Sequence, residues 1–281
     1  MVKLKYSHAP LGFGGQKRFF LQEFCEVINN NIPNNGGGYT FLDAFGGSGL
    51  LSRTLKDIKP EARVIYNDFS NYSERLRHVD ETNELRRLLR AYLDQRYKKH
   101  DRVSDEDREA VIKIIDDFSG YKDIKMLSSC LLFSGKTATD INDLKTRTFY
   151  SNAPLNKYRQ CDDYLEGLEI THQSFKELLP QFYDDKKCVF ILDPPYLMTD
   201  CSYYKDAEQY NLISFLTLSL LLRPPFVFFS SSKTEFYDYI QFAIEHDFPN
   251  ADAFKNVKNV RRTTHIGAGN RYEDAMFFDF G

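Results

Sequence analysis

The chain has 281 residues, long enough for one large α/β domain carrying an insertion, or for two domains. Its 42% apolar and 15% aromatic content suffices for a substantial core, and a formal net charge of −3 gives no overall attraction for nucleic acid. Five scattered cysteines (Cys25, Cys130, Cys161, Cys188, Cys201) without a Cys-x-x-Cys pair argue against a disulfide framework or a zinc cluster, and point to a reducing cytoplasm. No metal-ligand spacing appears. Met1 to Pro10 lacks the apolar core of a signal peptide. Leu212 to Phe229 is the most apolar stretch, but Arg223-Pro224-Pro225 divides it, so a helix and then a strand are expected rather than a membrane span. A soluble chain with no membrane partner is expected.

Along the chain, Gly12, Gly14 and Gly15 form a loop whose backbone can approach a ligand, with Lys17 just after it. Phe20, Phe24, Val27 and Ile28 then recur at helical spacing, and the turn cluster Asn34 to Gly38 closes that helix. Tyr39 to Leu42 reads as a short strand ending in Asp43. It enters Ala44-Phe45-Gly46-Gly47-Ser48-Gly49 and opens a helix over Leu50 to Ile58. In such a β-loop-α unit the backbone N–H groups at the helix start face a bound ligand. The dinucleotide fingerprint G-x-G-x-x-G fails at its third position, which is Ser52, so a pyrophosphate site is disfavoured while an adenosyl ligand fits. Ala62 to Asn67 is a second strand, and Asp68 follows it at the place where an acid catches ribose hydroxyls, at a spacing from Asp43 close to the roughly 20 residues such sites show.

From Asn71 to Gln160 the pattern turns mainly helical and mildly basic. This stretch has 18 Lys+Arg against 15 Asp+Glu, a net +3, leaving 19 against 25, a net −6, elsewhere. Leu85, Leu88, Leu89, Tyr92, Leu93 and Tyr97 mark a helix over Glu84 to Lys99. Asp105-Glu106-Asp107 opens another, running to Phe118, with acids where the helix dipole favours them. Met126 to Phe133 is a third apolar segment. Ser134 to Arg159 reads as a polar loop in which Lys136, Lys145, Arg147, Lys157 and Arg159 are interleaved with Phe149, Tyr150 and Tyr158, a composition suited to DNA phosphates and bases, or simply to solvent.

Strand and helix then alternate again: Leu168 to Thr171 as a strand with Ser174 and Phe175 near its tip, Cys188 to Leu192 as a buried strand, Asn211 to Leu222 as a helix, and Phe226 to Ser230 as a strand. A helix ends over Tyr239 to Glu245, and Val257 to His265 with Ala275 to Phe280 forms a closing β-hairpin. Residues 1–70 and 161–281 are thus expected to build one sheet, interrupted once by a helical insertion over 71–160. The strand from Cys188 delivers Asp193-Pro194-Pro195-Tyr196 at the carboxyl edge of the sheet, where ligands of open α/β folds bind. A carboxylate, carbonyls next to prolines that donate nothing, and a flat ring make a receptor for an exocyclic amine on an aromatic base.

Asp43-Ala44-Phe45-Gly46-Gly47-Ser48-Gly49, Asp68 and Asp193-Pro194-Pro195-Tyr196, in this order, resemble the Dam-like (D12 class) DNA adenine-N6 methyltransferases. Phe13-Gly14-Gly15-Gln16-Lys17 is similar to that family's W-x-G-G-K loop, with Phe for Trp and Gln for the second Gly. The resemblance implies a Rossmann-like α/β methyltransferase sheet with an inserted target-recognition domain. S-adenosyl-L-methionine would contact Phe13, Lys17, Asp68 and Asp193, and the glycine turn around Phe45 would close over it. Double-stranded DNA would be the substrate, and a cognate restriction endonuclease a candidate partner. Where such enzymes often carry an acid at the third strand tip, this chain has Ser174 beside Phe175. Competing expectations are a nucleotide-dependent oxidoreductase, which leaves residues 193–196 unexplained, a catalytically silent DNA-binding protein, and transfer to cytosine N4 or to adenine in RNA. The recognition sequence and oligomeric state are not legible.

Overall fold

The computed structural model describes residues 4–133, 136–152, 156–195, 210–231, 236–266 and 270–281. Tyr196 of the expected amine receptor lies outside these described residues. The described elements, in chain order, are α1 (Leu21–Asn31), β1 (Thr40–Asp43), α2 (Leu50–Ile58), β2 (Arg63–Asn67), α3 (Tyr72–Arg77), α4 (Val79–Leu93), α5 (Asp105–Asp117), α6 (Ile124–Leu131) and α7 (Ile141–Thr146). There follow β3 (Glu169–Thr171), α8 (Phe175–Leu178), β4 (Cys188–Leu192), α9 (Leu212–Leu221), β5 (Phe226–Ser231), α10 (Phe236–Glu245), β6 (Lys258–Ile266) and β7 (Asn270–Asp279).

The described strands form one seven-stranded sheet in the order β3-β2-β1-β4-β5-β7-β6. β1 to β5 run parallel, while β7 lies antiparallel between β5 and β6 as half of the expected terminal hairpin. This is the Rossmann-like methyltransferase sheet expected from the sequence. The chain winds outward in one direction from β1 through β2 to β3 and in the other from β4 to β5. A topological switch point therefore falls between β1 and β4, where a ligand crevice forms beyond the strand ends. The pairing of Asp43 with Ile191 puts the glycine turn after β1 directly beside the residues that follow β4.

Strand alternation explains the layers. Phe41, Val64, Val189, Ile191, Val227 and Phe229 pack with α1 and α2, through Phe24, Ile28, Leu50 and Leu55 among others. Leu42, Ile65, Phe190, Leu192, Phe226 and Phe228 point to the opposite face and pack with Phe175, Phe215, Phe236 and Tyr239 of α8 to α10. All five residues of β4 are buried, as a strand covered on both faces requires. Each large apolar side chain so buried contributes about 1.5–3 kcal/mol. Beneath the β4–β5 edge, the buried guanidinium of Arg223 donates to the carbonyls of Phe182, Tyr183, Asp185, Cys188 and Pro224. The divided apolar stretch is a helix and then a strand, and among the described residues no helix is long and apolar enough to cross a membrane.

Between β2 and β3 the described regular elements are helices. They enclose a separate core that includes Leu85, Leu89, Leu93, Val111, Ile115, Met126, Leu127, Leu131, Leu144 and Phe149. Two details differ from the sequence expectation. The helix placed over 84–99 runs instead as Val79–Leu93, because Val79, Thr82, Leu85, Arg86, Leu89 and Leu93 form one buried stripe. The polar stretch after Ser134 is not all loop. Asp140 caps α7 by accepting from the Asp143 N–H at 2.8 Å, while Asp143 reaches back to the Thr139 N–H at 2.9 Å, a reciprocal cap that starts a helix.

Candidate active site

The glycine turn is shaped by what lies against it. Gly47 (φ 51°) and Gly49 (φ 72°) occupy left-handed backbone that favours glycine. At Gly46 the constraint is space: a Cβ there would stand 2.3 Å from the Tyr66 ring and 3.0 Å from the Asn67 carbonyl oxygen. The Phe13 ring covers Gly47, within 3.0 Å of where its Cβ would be, and meets Tyr72 edge-on at 5.8 Å. The Tyr66 hydroxyl and the Ser70 hydroxyl both donate to the Gly47 carbonyl, at 2.8 and 3.2 Å. Asn67 stitches three strand ends together: its amide donates to the carbonyls of Ala44 and Gln173, and its carbonyl oxygen accepts from the Gln173 N–H.

These strand ends surround a cavity of about 180 Å³. Ala44, Phe45 and Gly47 line it from the glycine turn, Asn67, Phe69 and Ser70 from the end of β2, and Gln173, Ser174 and Phe175 from the end of β3. Asp193, Pro195, Tyr210 and Ser214 complete the wall. Phe45, Phe175 and Tyr210 form a triangle of rings with centroids 5.3, 6.1 and 6.2 Å apart. Phe69 stacks on His172 at the rim. The Tyr210 hydroxyl is buried and has no hydrogen-bond partner among the described residues, which leaves a polar atom in an aromatic wall for a ligand to satisfy.

Asp193 accepts a hydrogen bond from the Lys17 ammonium at 2.7 Å, with side-chain exposures of 19% and 9% for Asp193 and Lys17. Burial raises the Asp193 carboxyl above its ordinary range, and the Asp274 charge adds to this, while the Lys17 charge and hydrogen bond oppose it. Asp43, 1% exposed, lies beneath the turn, where the Ser52 hydroxyl donates to it at 2.6 Å. Burial pushes its carboxyl up to about 7, with a further push from Asp193 against the lowering hydrogen bonds from Ser52 and Phe45.

The structure therefore gathers Phe45, Gly47, Ser174, Phe175, Asp193 and Pro195 on one cavity wall, with Lys17 bonded to Asp193. Pro194, beside them in the chain, is buried. Others serve differently. Asp43, Gly46 and Gly49 shape the turn from below, and Phe13 backs Gly47. Asp68 is not part of the cavity wall: it is 2% exposed and accepts from the N–H groups of Tyr72 and Ser73, so it anchors the start of α3, while the Tyr66 hydroxyl, 3.0 Å away, shares its one proton between Asp68 and the Gly47 carbonyl. Ser174 caps α8 by accepting from the Lys176 N–H. In the insertion, Lys136, Lys157 and Arg159 are exposed, whereas Lys145 pairs with Asp116 at 2.6 Å and Arg147 with Asp143 at 2.9 Å. Asn67, Phe69 and Tyr210 were not singled out in the sequence. An asparagine ending a strand is the signal that could have found the first; a lone tyrosine ahead of a helix gives none.

Residues 13–217 match the family model of the D12 class N6 adenine-specific DNA methyltransferases. A Haemophilus influenzae (strain ATCC 51907 / DSM 11121 / KW20 / Rd) protein named "Putative methyltransferase" is 42% identical over 278 residues, covering 99% of this chain and 94% of that protein. A solved structure, precorrin-6y C5,15-methyltransferase from Geobacter metallireducens GS-15, matches over 95% of this chain and 94% of its own at 10% identity and a TM-score of 0.33, a score too low to carry an argument. The matched region runs from the Phe13 loop through the glycine turn and the whole insertion to α9, and so takes in every part of the cavity wall. The chain belongs to the family of D12 class N6 adenine-specific DNA methyltransferases.

Proposed function

We propose that the chain transfers a methyl group from S-adenosyl-L-methionine to N6 of an adenine turned out of double-stranded DNA. The observation that carries this reading is Asp193: a carboxylate at the mouth of β4, facing the cavity it shares with the glycine turn and already accepting an N–H donor at 2.7 Å. A carboxylate offers about four acceptor sites, so one held by Lys17 leaves room for an amino group.

The cavity residues suit the methyl donor. Flat aromatic walls at Phe45, Phe69, Phe175 and Tyr210 match an adenosyl ring, the tight turn at Gly46 and Gly47 lets backbone come close, and a carboxylate and ring faces suit a sulfonium cation. When bound, S-adenosyl-L-methionine supplies an electrophilic methyl group. The protein's own residues do the rest. The N6 lone pair of adenine is delocalised into its ring and is a poor nucleophile. Asp193 and the Pro194 carbonyl accept its two N–H bonds, which favours a pyramidal nitrogen and stabilises the positive charge developing there. Direct transfer then needs mainly orientation, supplied by the rigid strand end. A base stacked in a duplex is out of reach, so it must be flipped into the site, where Tyr196 would stack on it. Exposed Lys136, Lys157 and Arg159 on the insertion support phosphate contacts.

The test is incubation with tritiated S-adenosyl-L-methionine and duplex DNA, followed by digestion to nucleosides and mass spectrometry. N6-methyldeoxyadenosine is the expected product. Label found on cytosine N4, or on RNA alone, overturns the substrate assignment; no label on any nucleic acid overturns the catalytic one.

A further inference from the structure

The glycine-rich loop is held by its own Gln16, which accepts from the Ala9 N–H and donates to the Phe13 carbonyl, by buried Leu11, and by α3. A Cβ added at Gly12, Gly14 or Gly15 would meet nothing within 4 Å, so packing at these positions does not set the loop's course. Two side chains one turn apart on α3 grip its backbone instead. The Tyr72 hydroxyl accepts from the Leu11 N–H at 2.8 Å and donates to the Leu11 carbonyl at 3.1 Å. The Arg75 guanidinium donates through both terminal nitrogens to the Gly12 carbonyl at 3.3 Å. From this grip the loop carries Phe13 onto Gly47 and Lys17 onto Asp193.

The other side of Arg75 faces the body of the insertion. Its Nε donates to Asp123 at 3.0 Å, in a pair whose side chains are only 7% and 1% exposed. The second oxygen of Asp123 accepts from the N–H groups of Lys125 and Met126, capping α6. Helix α6 in turn supplies Met126, Leu127, Cys130 and Leu131 to the core of the insertion and leads directly to exposed Phe133. One guanidinium fork thus bridges the first turn of α6 and the backbone of the loop beside the cavity, a geometry that a planar, rigid Arg permits and a single ammonium does not.

We propose that Arg75, near the start of the insertion, is a positioning residue that couples α6 in the body of the insertion to the loop bearing Phe13 and Lys17, so that the seating of α6 sets the geometry of the methyl-donor cavity. The inference rests on the functional reading above for what the cavity and the insertion bind, but the clasp itself can be tested without it. Coupling is reciprocal: if DNA on the insertion tightens the loop, a bound donor tightens the insertion by the same factor.

The experiment uses the full chain and three substitutions outside the cavity wall: Arg75→Lys, which keeps the charge beside Asp123 but loses the fork; Tyr72→Phe, which removes only the hydroxyl; and Asp123→Asn. Amide hydrogen exchange of residues 11–17 is measured alongside the affinity for S-adenosyl-L-methionine. The expected result is faster exchange of that loop in all three variants, joined in Asp123→Asn by the first turn of α6, with β1, β4 and β5 as protected as in wild type, and donor affinity lowered about tenfold, within the usual range of coupling between sites. Arg75→Lys and Asp123→Asn combined should cost less than the sum of the two, since they break the same link. Wild-type exchange in the loop of Arg75→Lys overturns the proposal, as does acceleration spread evenly over the chain. If the wild-type protein fails to bind the donor at all, the functional reading fails, while the exchange data still decide the clasp.

Discussion

Replacing Asp43 by Asn should change how stability depends on pH, and the size of the change follows from burial. The carboxyl lies beneath the glycine turn at 1% exposure, with one oxygen lacking a hydrogen-bond partner among the described residues, and burial raises it from 3.8 to about 7. Over the window from about pH 4 to 7 the folded protein keeps this proton while the unfolded chain gives it up. The unfolded state therefore binds fewer protons, and stability falls as pH rises, by about 1.4 kcal/mol per unit and about 4 kcal/mol in all. Above pH 7 both states have lost the proton and the contribution is flat. A side-chain amide carries no such proton, so the Asp43→Asn variant should gain on wild type by about 1.4 kcal/mol for each pH unit between 4 and 7 and then hold level. The amide adds a fixed offset of its own, so the slope is diagnostic and the intercept is not. The chain has no Trp, so urea unfolding followed by far-UV circular dichroism at pH 4.5, 5.5, 6.5 and 7.5 is the assay. A stability difference independent of pH would refute the reasoning.

Other consequences are open to measurement. Removing Lys17 as Lys17→Gln leaves the burial of Asp193 less opposed, so its carboxyl should rise further; the acid limb of the pH–rate profile should move to higher pH, and an unmoved limb would show that Lys17 does not tune this group. Arg223→Met takes the guanidinium donor from the carbonyls of Tyr183 and Cys188, and one of two donors from those of Phe182 and Asp185, which also accept from the Asp185 and Cys188 N–H groups. A loss of about 3 kcal/mol in urea unfolding is expected, and a loss below about 1 kcal/mol would mean that water or backbone shifts replace these bonds. Replacing Lys136, Lys157 and Arg159 by Ala should each flatten the dependence of log affinity for duplex DNA on log salt by about 0.9. The same change at Lys145 or Arg147, already paired with acids, should do little; equal effects at all five positions would remove the basis for the distinction.

Much of the catalytic region was legible because its signals are local. A strand that ends in an acid, turns on glycines and opens a helix can be read from Asp43 to Leu50 without a structure, since Gly47 and Gly49 answer to the backbone of the turn itself, whereas Gly46 answers to the distant Tyr66 ring. The apolar run Cys188 to Leu192 likewise reported a strand buried on both faces. Long-range relations were not legible. The carboxylate of Asp68 is engaged by N–H groups at the start of α3, a demand set by how the chain turns after β2. Asn67 ties β2 to residues near 44 and 173; its place at the end of a strand is a local signal, but its partners, one about a hundred residues away, are not. Helix α7 was hidden in a polar stretch because two aspartates, rather than an apolar stripe, define its start. Arg75 read only as one more arginine in a basic insertion; its role depends on Gly12 and Asp123, one upstream and one downstream.

The most direct measurement is methyl transfer by Asp193→Ala. With tritiated S-adenosyl-L-methionine and duplex DNA, the variant should retain the circular dichroism of wild type and transfer no label above background, because the acceptor for the amino group is gone while β4 remains packed. Turnover near that of wild type would contradict the assignment of this carboxylate, and with it the proposed chemistry of the cavity.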